Sequence, residues 1–196
     1  LALQAGVKMY TLKSPDGKVK LEVTAGQGIA YSLFYDGRLL LKPSRIALHT
    51  DLPEADHWEN IRITGTKQRH VSETVQAPFY RVKEFGIDCN ELELRLNNGF
   101  SLLMRAYNDG MAYRFVAGRK GEMTVVEERA EFNFADDFEA YIPYSTNPKD
   151  PWNMAFQNFY TKAPLTQYNT ELPAFLPLTV DAGAVKLTLL ESDLEA

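Results

Sequence analysis

The 196-residue chain holds one cysteine, Cys89, which excludes an intrachain disulfide. A chain this long needs no covalent staple, so that count does not assign a redox compartment. No apolar run in the sequence approaches the roughly 18 residues of a membrane-spanning helix, and no membrane span is expected. Basic residues are outnumbered: 21 Lys and Arg stand against 26 Asp and Glu, for a net charge of −5. The densest basic stretches are only Arg119-Lys120 and Lys67-Gln68-Arg69-His70. A phosphate backbone is bound through clustered cations, so no nucleic-acid partner is expected. The three histidines, His49, His57 and His70, lack the paired spacing of zinc ligands. Phosphate loops, the nucleophile elbow of hydrolases and the metalloprotease His-Glu-x-x-His run are all missing.

What the chain does have is punctuation. Pro15-Asp16-Gly17, Gly26-Gln27-Gly28, Asp36-Gly37, Asn97-Asn98-Gly99, Asn108-Asp109-Gly110 and Asp181-Ala182-Gly183 each set Gly beside Asp, Asn or Gln. These residues tolerate the left-handed backbone of tight hairpins or bond their own backbone there. Between the turns, apolar residues recur with period two. Val19, Leu21 and Val23 alternate with lysines and Glu22, and Leu92, Leu94 and Leu96 alternate with Glu91, Glu93 and Arg95. The sets Phe100-Leu102-Met104, Met111-Tyr113-Phe115, Ala130-Phe132-Phe134 and Val185-Leu187-Leu189 repeat the pattern. Such alternation marks antiparallel strands with one buried face. No ten-residue amphipathic helix emerges; the best stretch, Asp150 to Tyr160, has Pro151 near its start. About a dozen strands fit the length, too many for one flat sheet. The fold class is therefore all-β, a large antiparallel sandwich, and no fixed repeat points to a propeller or solenoid.

Two stretches break the rhythm. Residues 50–59 form an acidic loop, and residues 136–174 form a longer segment rich in Pro, Asn and Tyr. Asp51, Glu54, Asp56 and Glu59 offer oxygen ligands but lack the glycine and spacing of a calcium-binding loop, and solvated acids are the simpler reading. The same holds for Asp136, Asp137 and Glu139. Cys89 has no recognisable base beside it and reads as a half-buried, inert thiol. Tyr141, Tyr144, Trp152, Phe156, Phe159, Tyr160 and Tyr168 crowd the long segment. Three readings stay open for these rings: stacking on sugar faces, docking against another domain, or packing of the loop on the sandwich.

Several runs resemble the N-terminal domain of glycoside hydrolase family 97. They are Ser14-Pro15-Asp16-Gly17-Lys18-Val19, Tyr31-Ser32-Leu33-Phe34-Tyr35-Asp36-Gly37 and Pro43-Ser44-Arg45-Ile46-Ala47-Leu48. The strongest is Arg105-Ala106-Tyr107-Asn108-Asp109-Gly110-Met111-Ala112-Tyr113-Arg114-Phe115, and Leu176-Pro177-Leu178-Thr179-Val180 with Leu190-Glu191-Ser192-Asp193-Leu194 closes the match. The resemblance implies a galactose-mutarotase-like β-super-sandwich over residues 10–196, as one domain, with residues 1–9 a tail or a signal or expression remnant. It implies a following catalytic (β/α)-barrel in the same polypeptide, on which this domain packs. It further implies a bacterial, periplasmic or secreted exo-α-glycosidase, an α-glucosidase or α-galactosidase, acting on α-linked oligosaccharides. The chain stops after a strong strand, and the natural protein is expected to continue into that barrel.

In the family a calcium ion sits in the active site, the catalytic carboxylates belong to the barrel, and the first domain lends one carboxylate. The resemblance places that ligand at Glu191, with Glu171 as the alternative. Counting by two from Val185, Leu187 and Leu189 lands on Glu191, which puts a carboxylate in the buried phase at the end of the strand. One carboxylate cannot fill a shell of about six to eight oxygens, so the chain alone is expected to hold no calcium. No residue here is a catalytic candidate. Glycoside hydrolysis needs two carboxylates flanking one bond, and no such pair is legible. The interdomain contact is expected to use Trp152 and Tyr160. The rival reading is an independent carbohydrate-binding sandwich that acts without a barrel.

Overall fold

A computed structural model describes residues 8–118, 120–150 and 158–192. Thirteen strands and two short 3-10 turns run along these residues, and every sheet pairing is antiparallel. The chain divides into two compact units, Leu1–Ala135 and Asp136–Ala196.

The first unit is a two-sheet sandwich. One sheet has the order β1-β2-β3-β4-β9, from β1 (Lys8–Lys13), β2 (Val19–Gly26), β3 (Gly28–Tyr35), β4 (Arg38–Thr50) and β9 (Val125–Ala130). The other has the order β5-β6-β7-β8, from β5 (Ile63–Gln76), β6 (Glu84–Leu96), β7 (Phe100–Tyr107) and β8 (Gly110–Ala117). The meander order follows from the turns. Asp36 and Gly37 take φ of 48° and 78°, the left-handed pair that matches the twist of a two-residue hairpin. Gly17 and Gly99 take φ of 76° and 86° in the turns that lead into β2 and β7, and the turn before Gly110 joins β7 to β8.

The alternation read in the sequence is the burial pattern of these strands. Val19, Leu21 and Val23 from β2 and Leu92, Leu94, Leu102 and Met104 from β6 and β7 line the facing inner surfaces. Tyr31 of β3 meets Tyr113 of β8 across the core, 6.1 Å between ring centroids. The Ala130-Phe132-Phe134 alternation is not one strand. β9 ends at Ala130 and is exposed throughout, and Phe134 reaches β4 through a single bridge to Leu41.

In the loop at residues 50–59 the four acids, Asp51, Glu54, Asp56 and Glu59, are exposed, as read from the sequence. The loop leads into a 3-10 turn, Trp58–Asn60, that drops Trp58 into the core. The indole lies 5.1 Å from Phe115 and 5.9 Å from Phe100, and its Nε1–H donates to the Leu48 carbonyl at 3.0 Å.

The second unit carries a four-stranded sheet of order β11-β10-β12-β13, from β10 (Glu139–Ile142), β11 (Thr161–Pro164), β12 (Leu178–Asp181) and β13 (Lys186–Leu189). Ala140, Ile142 and Val180 form its buried row. The all-β, antiparallel class read from the sequence is the class of the structure.

Candidate functional site

The aromatic segment of the second unit is built around Tyr144. Its ring is buried, stands 5.4 Å from Tyr168, and its hydroxyl accepts the Asn169 N–H at 2.7 Å. Asn158 donates its side-chain amide to the Tyr144 carbonyl at 3.1 Å. Burial, then the neighbouring Tyr144, pushes the Tyr168 hydroxyl above its ordinary pKa. Asp137 fixes the second 3-10 turn, Leu165–Gln167. Its two oxygens accept the Thr166 N–H at 2.8 Å and the Thr166 hydroxyl at 2.7 Å, and these bonds hold its carboxyl below the ordinary value. Asp137 is thereby a loop anchor rather than a ligand. This core accounts for Tyr144 by packing alone, but the segment does not bury all its rings. Phe159 is 94% exposed and Tyr160 47% exposed, the latter held by a bond from its hydroxyl to the Pro177 carbonyl at 3.3 Å. Trp152 lies outside the described residues.

Glu191 follows β13, which ends at Leu189, so the period-two count does not reach it, and its side chain is exposed. Glu171 is exposed too, and its N–H donates to the Asn169 side chain at 3.0 Å. Among the described residues neither carboxylate has an ion-pair partner. Among the same residues, no three His, Cys, Asp or Glu side chains come together as a metal-holding group. The histidines are dispersed: His49 pairs with Asp56 at 2.7 Å and His70 with Asp88 at 3.1 Å.

The feature the sequence reading missed is a buried carboxylate. Glu91 is 4% exposed on the face of the β5–β8 sheet that points away from the core. Register sets it between Arg69 on β5 and Arg105 on β7. The Arg69 Nε–H donates to Oε1 at 2.6 Å and the Arg105 Nε–H to Oε2 at 2.8 Å. Burial pushes the Glu91 carboxyl up, and the two guanidiniums outweigh it and hold the group below its ordinary value. A general acid needs the opposite shift, so Glu91 is suited to holding strands together and not to proton transfer. Beside it, Cys89 is fully buried, and burial raises its thiol pKa, which leaves it inert.

A cleft of about 490 Å³ opens between β1 and the β5–β6 pair. Several of its polar groups bond one another: Gln68 donates to the Thr11 carbonyl, Asn90 to the Lys13 carbonyl, and His70 meets Asn90 at 3.0 Å. They tie an edge strand to the facing sheet.

Comparison with known proteins gives these observations a frame. Residues 12–196 match the family model described as glycosyl-hydrolase 97 N-terminal. A retaining alpha-galactosidase of Bacteroides thetaiotaomicron is 41% identical over 202 aligned residues, which take in 100% of this chain and 30% of that protein. A probable retaining alpha-galactosidase of Streptomyces bingchenggensis is 26% identical over 79% of this chain and 24% of its own length. The chain thus spans less than a third of these relatives. Among solved structures, a beta-arabinopyranosidase superposes with a TM-score of 0.74 at 22% identity, covering 87% of this chain and 29% of that one. A glycoside hydrolase family 97 enzyme from Pseudoalteromonas sp. strain K8, in complex with panose, gives 0.69 at 19% identity over 87% of this chain and 26% of that one. At those identities the superpositions establish the fold alone.

Proposed function

The chain belongs to the glycosyl-hydrolase 97 N-terminal family, and we propose that it is the non-catalytic N-terminal domain of a secreted or periplasmic, calcium-dependent exo-α-glycosidase. The observation that carries this reading is the 41% identity along the whole chain to a stretch that is 30% of a retaining alpha-galactosidase. The remaining length of such a protein is where a catalytic barrel belongs. Among the described residues the buried carboxylate is Glu91, and it is bound by two arginines. In this reading the domain packs on the barrel through rings of the long segment, the exposed Tyr160 and Trp152 by its place in the sequence, and helps shape a pocket for an α-linked galactoside or glucoside.

Calcium enters the proposal through one side chain. Glu191 is a hard oxygen donor, exposed and without an ion-pair partner among the described residues, which suits a carboxylate lent to a site completed elsewhere. Glu171 has the same properties and is the alternative. When bound, calcium would supply positive charge to polarise and orient an oxygen of the substrate. This chain's own part is to present one carboxylate and to help exclude water.

The test of the reading is the coding sequence downstream of Ala196 together with its product. A (β/α)-barrel and hydrolysis of p-nitrophenyl α-galactoside or α-glucoside by the full-length polypeptide are expected. A stop codon or an unrelated domain there would transfer the chain to the independent carbohydrate-binding class.

A further inference from the structure

The strands β5 and β6 pair from Ile63↔Leu96 out to Gln76↔Glu84, and the turn at residues 77–83 closes the hairpin. Of these two strands, β7 pairs with β6 alone, and only from Cys89 to Arg95. Residues 72–88 therefore form a two-stranded arm that extends past the rest of its sheet. An isolated two-stranded ribbon is marginal in water unless one face is covered.

The arm is two-faced by register. One side carries Ser72↔Asp88, Thr74↔Gly86 and Gln76↔Glu84, all polar or glycine. The other carries Val75↔Phe85 and Glu73↔Ile87, and continues without a break into the buried pair Val71↔Cys89. At the tip Phe79 is 97% exposed, with Tyr80 and Val82 also exposed. The apolar side of the arm lies on the outer face of the β5–β8 sheet, the face that holds Glu91. There Lys67, Arg69, Arg95, Arg105 and Arg114 outnumber Glu73, Glu91 and Glu93, on a chain whose net charge is −5.

We propose that this arm and the adjoining basic sheet face are a docking surface for the remainder of the longer polypeptide. Its apolar side and tip would seat on apolar side chains of the following domain, and Arg69 and Arg105 would meet carboxylates there. The inference rests on the reading that a further domain follows.

Three observations select this occupant. The chain corresponds to 30% of its Bacteroides relative, so most of such a polypeptide is available as a partner. A second copy would have to bring the same basic face against itself in a two-fold contact, where like charges oppose. A lipid surface would engage the tip alone, whereas Val75, Phe85 and Ile87 share one side of the arm down to the buried pair Val71↔Cys89, with Glu73 among them, the geometry of lateral contact with a protein.

The experiment uses the full-length polypeptide. Hydroxyl-radical labelling of Phe79 and Tyr80 should proceed about tenfold more slowly than in the same polypeptide unfolded in urea, as expected for ring anchors buried in an interface. Labelling within about twofold of the unfolded rate overturns the proposal, because a ring left as open as Phe79 is here has no such protection. A double substitution, Phe79→Asp with Tyr80→Asp, changes side chains that are exposed in this chain, so its fold should persist. It should raise tryptic cleavage after Arg81 and Lys83 about tenfold. Unchanged cleavage overturns the proposal. So does binding to phosphatidylserine vesicles that the double substitution abolishes, or a dimer in light scattering that it dissociates. A full-length polypeptide without α-glycosidase activity would remove the function proposed above and leave these labelling and cleavage readouts standing.

Discussion

Arg105 and Glu91 stand directly opposite each other on β7 and β6, Nε 2.8 Å from Oε2, on the side of the sheet that turns away from the sandwich core. Arg69 closes the carboxylate from the other side. Three strands of one sheet are thus joined by a single side chain. Removing the carboxylate leaves two guanidiniums without their shared acceptor, though both reach water. Glu91→Gln should therefore cost about 2 kcal/mol, below the cost of breaking a fully buried ion pair. The shift of the urea midpoint at neutral pH, with an unchanged m-value, measures it.

The same group predicts a pH dependence. Its folded pKa lies below the ordinary 4.5, so its contribution is complete above that value and is lost as pH falls through the lower, folded one. The stability difference between the native protein and Glu91→Gln should be constant above about pH 5 and shrink toward pH 3. A difference that holds steady down to pH 3 would show that the carboxylate makes no charged contact.

How the sequence carried some of this and not the rest is clear at particular residues. The turn at Asp36-Gly37 and the alternation of Leu92, Leu94 and Leu96 are local signals, and each appears in the fold where it was read. Glu91 alternates with those leucines and therefore reads as a solvent-facing acid. Its burial depends on Arg69 and Arg105, 22 and 14 residues away, and on a register that no local pattern encodes. Trp58 sits among acids and reads as loop, yet its burial follows from partners on two strands, Phe100 and Phe115. The period-two count at the last strand carries Leu187 and Leu189 but fails at Glu191, because the strand stops first. The arm at residues 72–88 escaped notice because its apolar pairs, such as Val75 with Phe85, meet only across the hairpin.

Trp58 offers a second stability test. Truncation to Ala should cost about 3–5 kcal/mol, as for other large buried aromatics. Trp58→Phe should cost about 1 kcal/mol for the indole N–H bond to Leu48, plus a smaller packing loss. Thermal unfolding of both variants decides whether the loop at residues 50–59 is part of the core. A melting temperature unmoved by Trp58→Ala would place the loop outside it.

At the hairpin between β3 and β4, Gly37 has φ of 78° and open space where a Cβ would stand. Gly37→Ala should therefore destabilise by about 1 kcal/mol through backbone strain alone, and Gly37→Asn by less. Equilibrium unfolding of the two variants separates backbone strain from steric conflict, since conflict would penalise Asn more.

In the full-length polypeptide, Glu191→Gln should weaken calcium affinity roughly tenfold and lower turnover, with the melting temperature in excess chelator unchanged. Calorimetric titration with calcium reads the first effect directly. If Glu191→Gln leaves the titration unaltered and Glu171→Gln shifts it, the ligand is Glu171.

The most direct measurement is the hydrolysis of p-nitrophenyl α-galactoside and α-glucoside by the 196-residue chain, set beside the full-length polypeptide under the same calcium concentration. The account predicts release of nitrophenol by the full-length protein and none above background by the chain alone. Turnover by the isolated chain that persists through repurification would contradict it.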